Sequence, residues 1–275
     1  MTAEQFAPAP FMRLADSSQR DSGFYFCADP VHLAPDRDQL VMLPLSVMQV
    51  QMAEAVVLAA TFNHMYEAEG YRLETPKSGR WYLRCPAVLN CITHESVKVA
   101  GQTVFDFMPS GEHGARLRQL MNEVQMLFFE HPVNQAREVA GKPAINSLWL
   151  WGGGCLPQEP VLEKLIKAPE QVVTNMPVLV GLARFAGSGY ISWPSGLAFQ
   201  MDSERMLAGI NIEGETEMLL LEEQFAAPVL HALRQGQVGE VIIYPGNKQG
   251  CRITQPSLRR FWRRRRPLTQ ILGTT

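Results

Sequence analysis

Short apolar runs alternate with longer stretches whose apolar residues recur at helical spacing, and this alternation most limits the folds open to the chain. Phe24-Tyr25-Phe26-Cys27-Ala28, closed by Asp29-Pro30, has the pattern of a buried strand, and Gln39 to Leu43 repeats it more weakly. From Leu45-Ser46, with Ser46 as the expected N-cap, Met48, Met52, Ala55, Ala59, Phe62 and Tyr66 mark one face of a long helix that Gly70 stops. Two strands are expected at Tyr71 to Thr75 and Trp81 to Cys85, with a hairpin turn between them. After a looser stretch, Leu117, Leu120, Met121, Val124, Leu127 and Phe128 predict a second helix from Ala115 to Glu130, broken or kinked at Pro132.

Asn146 to Trp151 is the most strand-like run, and it ends in Gly152-Gly153-Gly154. Beyond it we expect strands at Gln171 to Thr174, Leu207 to Ile212 and Val241 to Tyr244, and helices at Val178 to Phe185 and Thr216 to Arg234. The alternation predicts an α/β fold, a mixed and largely parallel sheet flanked by helices, with the hairpin supplying the mixed element. Residues 1–22 read as a lead-in segment and 23–275 as a single α/β domain. The tail from Gln255 to Pro267 is expected to be a short helix carrying six arginines.

Composition narrows the function classes. A net charge of -2 gives no overall bias toward nucleic acid or anionic membrane, so such a partner would need a local patch. No run approaches the roughly 18 apolar residues of a membrane span, and the first ten residues lack the layout of a secretory signal. The five cysteines are scattered without a Cys-x-x-Cys pair, which argues against a disulfide framework or a zinc knuckle. The cytoplasm is the expected address.

Three polar clusters end apolar elements. In Asp29-Pro30-Val31-His32, a carboxylate and an imidazole three residues apart suit a divalent metal or acid–base chemistry; the alternative is a turn cap and a structural hydrogen bond. In the second, His131 can cap a helix end or supply a third ligand or proton donor, with Asn134 and Arg137 beside it. Asp29, His32 and His131 are therefore the candidate catalytic and metal-ligating set, for which Mn²⁺ or Mg²⁺ is the cofactor considered. The third comprises Asn146, Ser147, Trp149, Trp151, Gly152, Gly153 and Gly154. Its glycines can bring backbone N–H groups to a phosphate or serve a tight loop, and its tryptophans can line a pocket or fill the core. It is neither a P-loop nor a dinucleotide fingerprint, because no Gly-Lys-Ser/Thr follows and Pro157 and Pro160 stand where a helix would begin.

The run Arg259 to Arg266, interleaved with Phe261 and Trp262, suits nucleic acid, but Leu258, Phe261 and Trp262 at helical spacing favour an anchor with a solvated basic face. Neither a Gly-x-Ser-x-Gly elbow nor a His-Glu-x-x-His motif is present.

Several motifs keep a common order: Phe24 to Leu33 ending Ala-Asp-Pro-Val-His-Leu, Leu45-Ser46, Arg80-Trp81-Tyr82-Leu83, Asn122 to Leu127, His131-Pro132-Val133-Asn134, Asn146 to Gly154, and Arg260-Phe261-Trp262-Arg263-Arg264 with Pro267-Leu268. In this the chain resembles the bacterial RpfE-type regulatory family, whose members are often labelled cofactor-independent phosphoglycerate mutase. The resemblance implies an alkaline-phosphatase-like fold and a two-metal phosphoryl-transfer site. The chain departs from such enzymes: it is shorter, Asn146-Ser147 runs into a tryptophan strand rather than Asn-Ser-x-x-Gly-His, and Asp/His clusters for two metals are few. It also lacks an N-terminal segment of that family, so a sheet edge is expected to be missing. The expectation is a regulatory or binding protein that takes a phosphorylated small molecule or a regulatory protein. A phosphoryl-transfer enzyme is the alternative, and nucleic-acid binding through the arginine tail is the second.

Overall fold

The computed structural model describes all residues except 1–5, 38, 159–167, 195–203, 213, 245–249 and 259–275. The chain divides into two compact units, residues 1–190 with 205–209 and residues 191–204 with 210–275, where the sequence suggested one unit from residue 23. The α/β class expected from the alternation is what the structure shows.

The main sheet of the first unit contains β1 (Phe24–Val31), β4 (Arg72–Lys77), β5 (Arg80–Cys85) and β6 (Ser147–Gly154) in the order β4-β5-β1-β6. Its strand directions differ from the largely parallel arrangement expected. β4–β5 is a hairpin, and β1 runs antiparallel to both β5 and β6. Apolar composition reports that a strand is buried; it does not report which way its neighbours run. A second hairpin, β2 (Leu33–Asp36) with β3 (Gln39–Met42), follows β1. Parallel pairing joins β7 (Gln171–Thr174) to β9 (Met206–Gly209), with β8 (Gly189–Ser192) on the other side of β7.

β1 runs three residues past its expected end and takes in Pro30, which is unusual for a central strand. Its pairing with β5 stops at Cys27, whereas pairing with β6 continues to Val31. Beyond Cys27 the strand therefore has one neighbour, and a missing N–H on the vacant side costs no ladder bond.

The segment expected as a lead-in carries a helix, α1 (Ala9–Ser17), with Phe11, Arg13 and Leu14 buried. The long helix begins later than Ser46 suggests. Leu45–Val47 is a separate 3₁₀ turn, and α2 (Met52–Tyr66) starts after Gln51, whose backbone N–H donates to Glu54 Oε2 at 2.7 Å. A short helix, α3 (Ser96–Val99), stands in the looser stretch. It is followed by α4 (Gly114–Phe129) and α5 (Pro132–Val139), so Pro132 starts a helix at its first position rather than kinking one.

The core joins α2 and α4 to one face of the main sheet. Phe62, Leu120, Met121 and Val124 meet Leu83, Leu148 and Leu150, with no room left for a water molecule. On the other face Tyr25, Cys27 and Tyr82 lie beneath Ala9 and Met12 of α1. Phe11 and Leu14 of α1 also pack on Phe185 of α6 (Pro177–Ala186). There a side chain at Gly181 would collide with the Phe11 carbonyl, so this crossing requires glycine.

In the second unit the helix expected from Thr216 to Arg234 is present as α7 (Glu215–Leu221) and α8 (Ala227–Gln235), joined by a π-helical turn at Glu222–Ala226. Pro228 accounts for the interruption, because it has no N–H to donate and crowds the preceding turn. Trp193 meets Phe225 edge to face at 6.3 Å. β10 (Glu240–Ile243) pairs antiparallel with β11 (Cys251–Thr254), which leads into α9 (Gln255–Leu258). The arginine run from Arg259 lies outside the described residues.

Candidate functional site

Asp29 lies in β1 with its side chain buried, and two donors converge on its Oδ2: Ser96 Oγ at 2.5 Å and Trp151 Nε1 at 2.7 Å. Burial pushes the carboxyl up to about 6; the two hydrogen bonds and the charge of Arg80 oppose that shift. Asp29 can thus exchange a proton just below neutral pH.

The segment leading to Ser96 is fastened to β6 at Thr93 and His94. Gly152 N–H donates to Thr93 Oγ1 at 3.1 Å, and Trp149 Nε1 donates to the His94 carbonyl at 2.7 Å. The His94 ring meets the Phe107 carbonyl at 3.2 Å. Thr93, His94 and Ser96 were not singled out in the sequence. The signal available was indirect: two indoles in one strand, Trp149 buried and Trp151 half-buried, each require an acceptor.

The remaining candidate ligands belong to separate hydrogen-bond networks. His32 Nδ1 meets the Ala144 carbonyl at 2.8 Å. His131 caps α5, its Nδ1 accepting from Val133 N–H at 3.2 Å and its Nε2 facing Thr61 Oγ1 at 3.0 Å. Since Thr61 donates its own hydroxyl proton to the Val57 carbonyl, the pattern assigns the proton of His131 to Nε2. Burial lowers the pKa of this imidazole. Among the described residues no group of three or more His, Cys, Asp or Glu could hold a metal ion. Asp29, His32 and His131 are not brought together as a ligand set, and the described donors do not fit a two-metal centre.

Asn134, Arg137 and Asn146 also bond chiefly to the chain itself. Asn134 donates to the carbonyls of Phe128 and Ile145 and accepts from Ile145 N–H. Arg137 donates to the carbonyls of Pro143 and Met48 and pairs with Glu54 at 2.8 Å, which ties α5 to the start of α2. Asn146 bonds both N–H and C=O of Leu33. Ser147 is buried opposite Val31.

The glycine run is part of β6. A side chain at Gly152 would come within 2.6 Å of Pro8, one at Gly153 would enter the Phe26 ring, and one at Gly154 would meet Ala7. Close packing against the segment before α1 at Gly152 and Gly154, and against Phe26 of β1 at Gly153, is sufficient to require these glycines. All five cysteines are free thiols.

No family model matches the chain. It is similar to a probable 2,3-bisphosphoglycerate-independent phosphoglycerate mutase of Geobacter sulfurreducens, at 28% identity over 171 residues, covering 59% of this chain and 41% of the relative. It is also similar to the enzyme of that name from Methanothrix thermoacetophila, at 25% identity over 175 residues, covering 54% of this chain and 44% of the relative. The matched stretch thus spans less than half the length of either curated relative. Among solved structures, a cofactor-independent phosphoglycerate mutase from Thermoplasma acidophilum overlaps 86% of this chain and 68% of its own, with 16% identity and a TM-score of 0.42. Over part of its length the sequence is thus similar to 2,3-bisphosphoglycerate-independent phosphoglycerate mutases.

Proposed function

We propose that this phosphoglycerate-mutase-like chain is a regulatory protein of the RpfE type. On this reading it acts in the cytoplasm by binding a phosphorylated small molecule or a partner protein, without metal-dependent phosphoryl transfer. One observation supports this reading over the mutase: Asp29, His32 and His131 are each held in a different hydrogen-bond network. A metal with three protein ligands needs those donors within about 2 Å of one point, each with a lone pair to spare. The motif residues instead hold β1, α2, α5 and β6 in register, which is what a retained framework with a changed role requires.

The test is an assay of the purified chain for interconversion of 3- and 2-phosphoglycerate in Mn²⁺ and in Mg²⁺, alongside Asp29→Ala and His32→Ala. The expected result is no metal-dependent turnover by any of the three. Turnover by the parent chain that disappears in both folded variants would overturn the reading and place a catalytic centre at the Asp29 segment.

A further inference from the structure

Arg72 of β4 and Arg84 of β5 stand directly opposite each other in the antiparallel register, and both are exposed. In such a pair the Cβ atoms are only about 4.5–5.5 Å apart, and like charges repel. Tyr25 of β1 is the next residue in the row, opposite Arg84 on its other side.

The other guanidiniums near this face are neutralised. Arg13 pairs with Glu74 at 2.7 Å and Asp21 at 2.9 Å and lies over the Tyr25 ring at 4.1 Å, while Arg80 pairs with Asp16 at 2.6 Å. The carboxylates that could have served Arg72 and Arg84 are committed. Glu74, two residues along β4 from Arg72, takes two bonds from Arg13; Asp21 takes the Tyr25 hydroxyl and Gly23 N–H besides Arg13. Among the described residues no carboxylate pairs with Arg72 or Arg84, so positive charge is in excess on this face.

We propose that Arg72 and Arg84 together form a binding site for the phosphate group of a small phosphorylated acid. Two planar guanidinium forks match the oxygens of a phosphate dianion, and a bridging dianion converts the repulsion between them into attraction to a shared partner. The proposal rests on the ligand-binding reading above and gives it a location.

Isothermal titration of the full chain at constant ionic strength tests it, with inorganic phosphate and 3-phosphoglycerate as probes. The variants are Arg72→Gln, Arg84→Gln and the pair together. Binding by the parent chain, weakened at least tenfold in each single variant and lost in the double, is expected. Thermal melts in chloride should show the double variant at least as stable as the parent, because relief of repulsion leaves the fold intact, and phosphate should raise the midpoint of the parent alone. Tighter binding of 3-phosphoglycerate than of inorganic phosphate supports the phosphorylated acid as occupant. Equal binding would overturn that choice in favour of the free anion. Unchanged affinity in the double variant would overturn the site and leave the ligand-binding reading standing, whereas turnover of 3-phosphoglycerate would overturn that reading itself.

Discussion

The two faces of the main sheet use opposite chemistry. Towards α2 and α4 the strands present Phe24, Phe26, Leu73, Trp81, Leu83, Leu148 and Leu150, a face without a charged side chain. Towards α1 they present Tyr25, Cys27 and Tyr82, accompanied by Arg13, Glu74, Arg80 and Asp16 in ion pairs. The first face is held by apolar burial, which needs shape but no particular partner. The second depends on pairs whose members are useless alone, and it borders both Asp29 and the uncompensated arginines. A chain that kept its framework while changing its chemistry would alter the second face and leave the first untouched.

The sharpest way to break this comparison is a deletion on each side. Phe62→Ala, at a fully buried position, should lose about 3–5 kcal/mol by removing ring contacts and leaving a cavity. Arg13→Ala should cost about 3 kcal/mol for a different reason, because Glu74 and Asp21 would be left without their shared cation. Urea unfolding measures both. Adding Glu74→Gln should recover part of the second loss and none of the first, and equal recovery would remove the distinction between the faces.

Asp29 sharpens the comparison through pH. Its native carboxyl titrates at about 6, against 3.8 for the ordinary group. Between those values the native state holds a proton that the unfolded chain has released, so stability falls as pH rises through the window and remains lower above it. The gap corresponds to roughly 3 kcal/mol at most. Asp29→Asn keeps an oxygen for Ser96 and Trp151 and carries no charge. It should therefore be more stable than the parent at pH 8, by up to about 3 kcal/mol, and close to it at pH 4. A variant less stable at pH 8 would show that the charge at Asp29 is needed by the fold.

The sequence made the helix faces of α2 and α4 and the strands β1, β4, β5 and β6 legible, because burial leaves a periodic trace. Strand direction left none. Nor did α1, whose buried Arg13 is paired with Asp21 and with Glu74, the latter sixty-one residues away. The polar candidates were legible as residue types but not as roles. Asn134 and Arg137 look equally suited to a ligand and to the carbonyls of Phe128, Ile145 and Met48 that they bind. Ser96 stayed hidden for the converse reason, since its role at the start of α3 depends on an aspartate of β1 sixty-seven residues away.

His131 gives the smallest and most selective test, because it lies on the α2 side and titrates in the opposite sense from Asp29. Burial lowers its pKa, so the native state resists a proton that the unfolded chain accepts. Its contribution is complete above the unfolded value near 6.5 and is lost as pH falls below it. Thr61→Val removes the acceptor of Nε2–H while keeping the shape of the side chain, and should cost about 1 kcal/mol at pH 8. Freed of that bond, the ring should also titrate at a different pH, which proton NMR of the imidazole can follow. If Thr61→Val left both stability and the histidine titration unchanged, the Thr61–His131 bond would not be what fixes the tautomer. The imidazole would then be available for the acid–base role first considered for it. A change in both would keep His131 as the cap of α5, held by Val133 N–H on one nitrogen and Thr61 on the other.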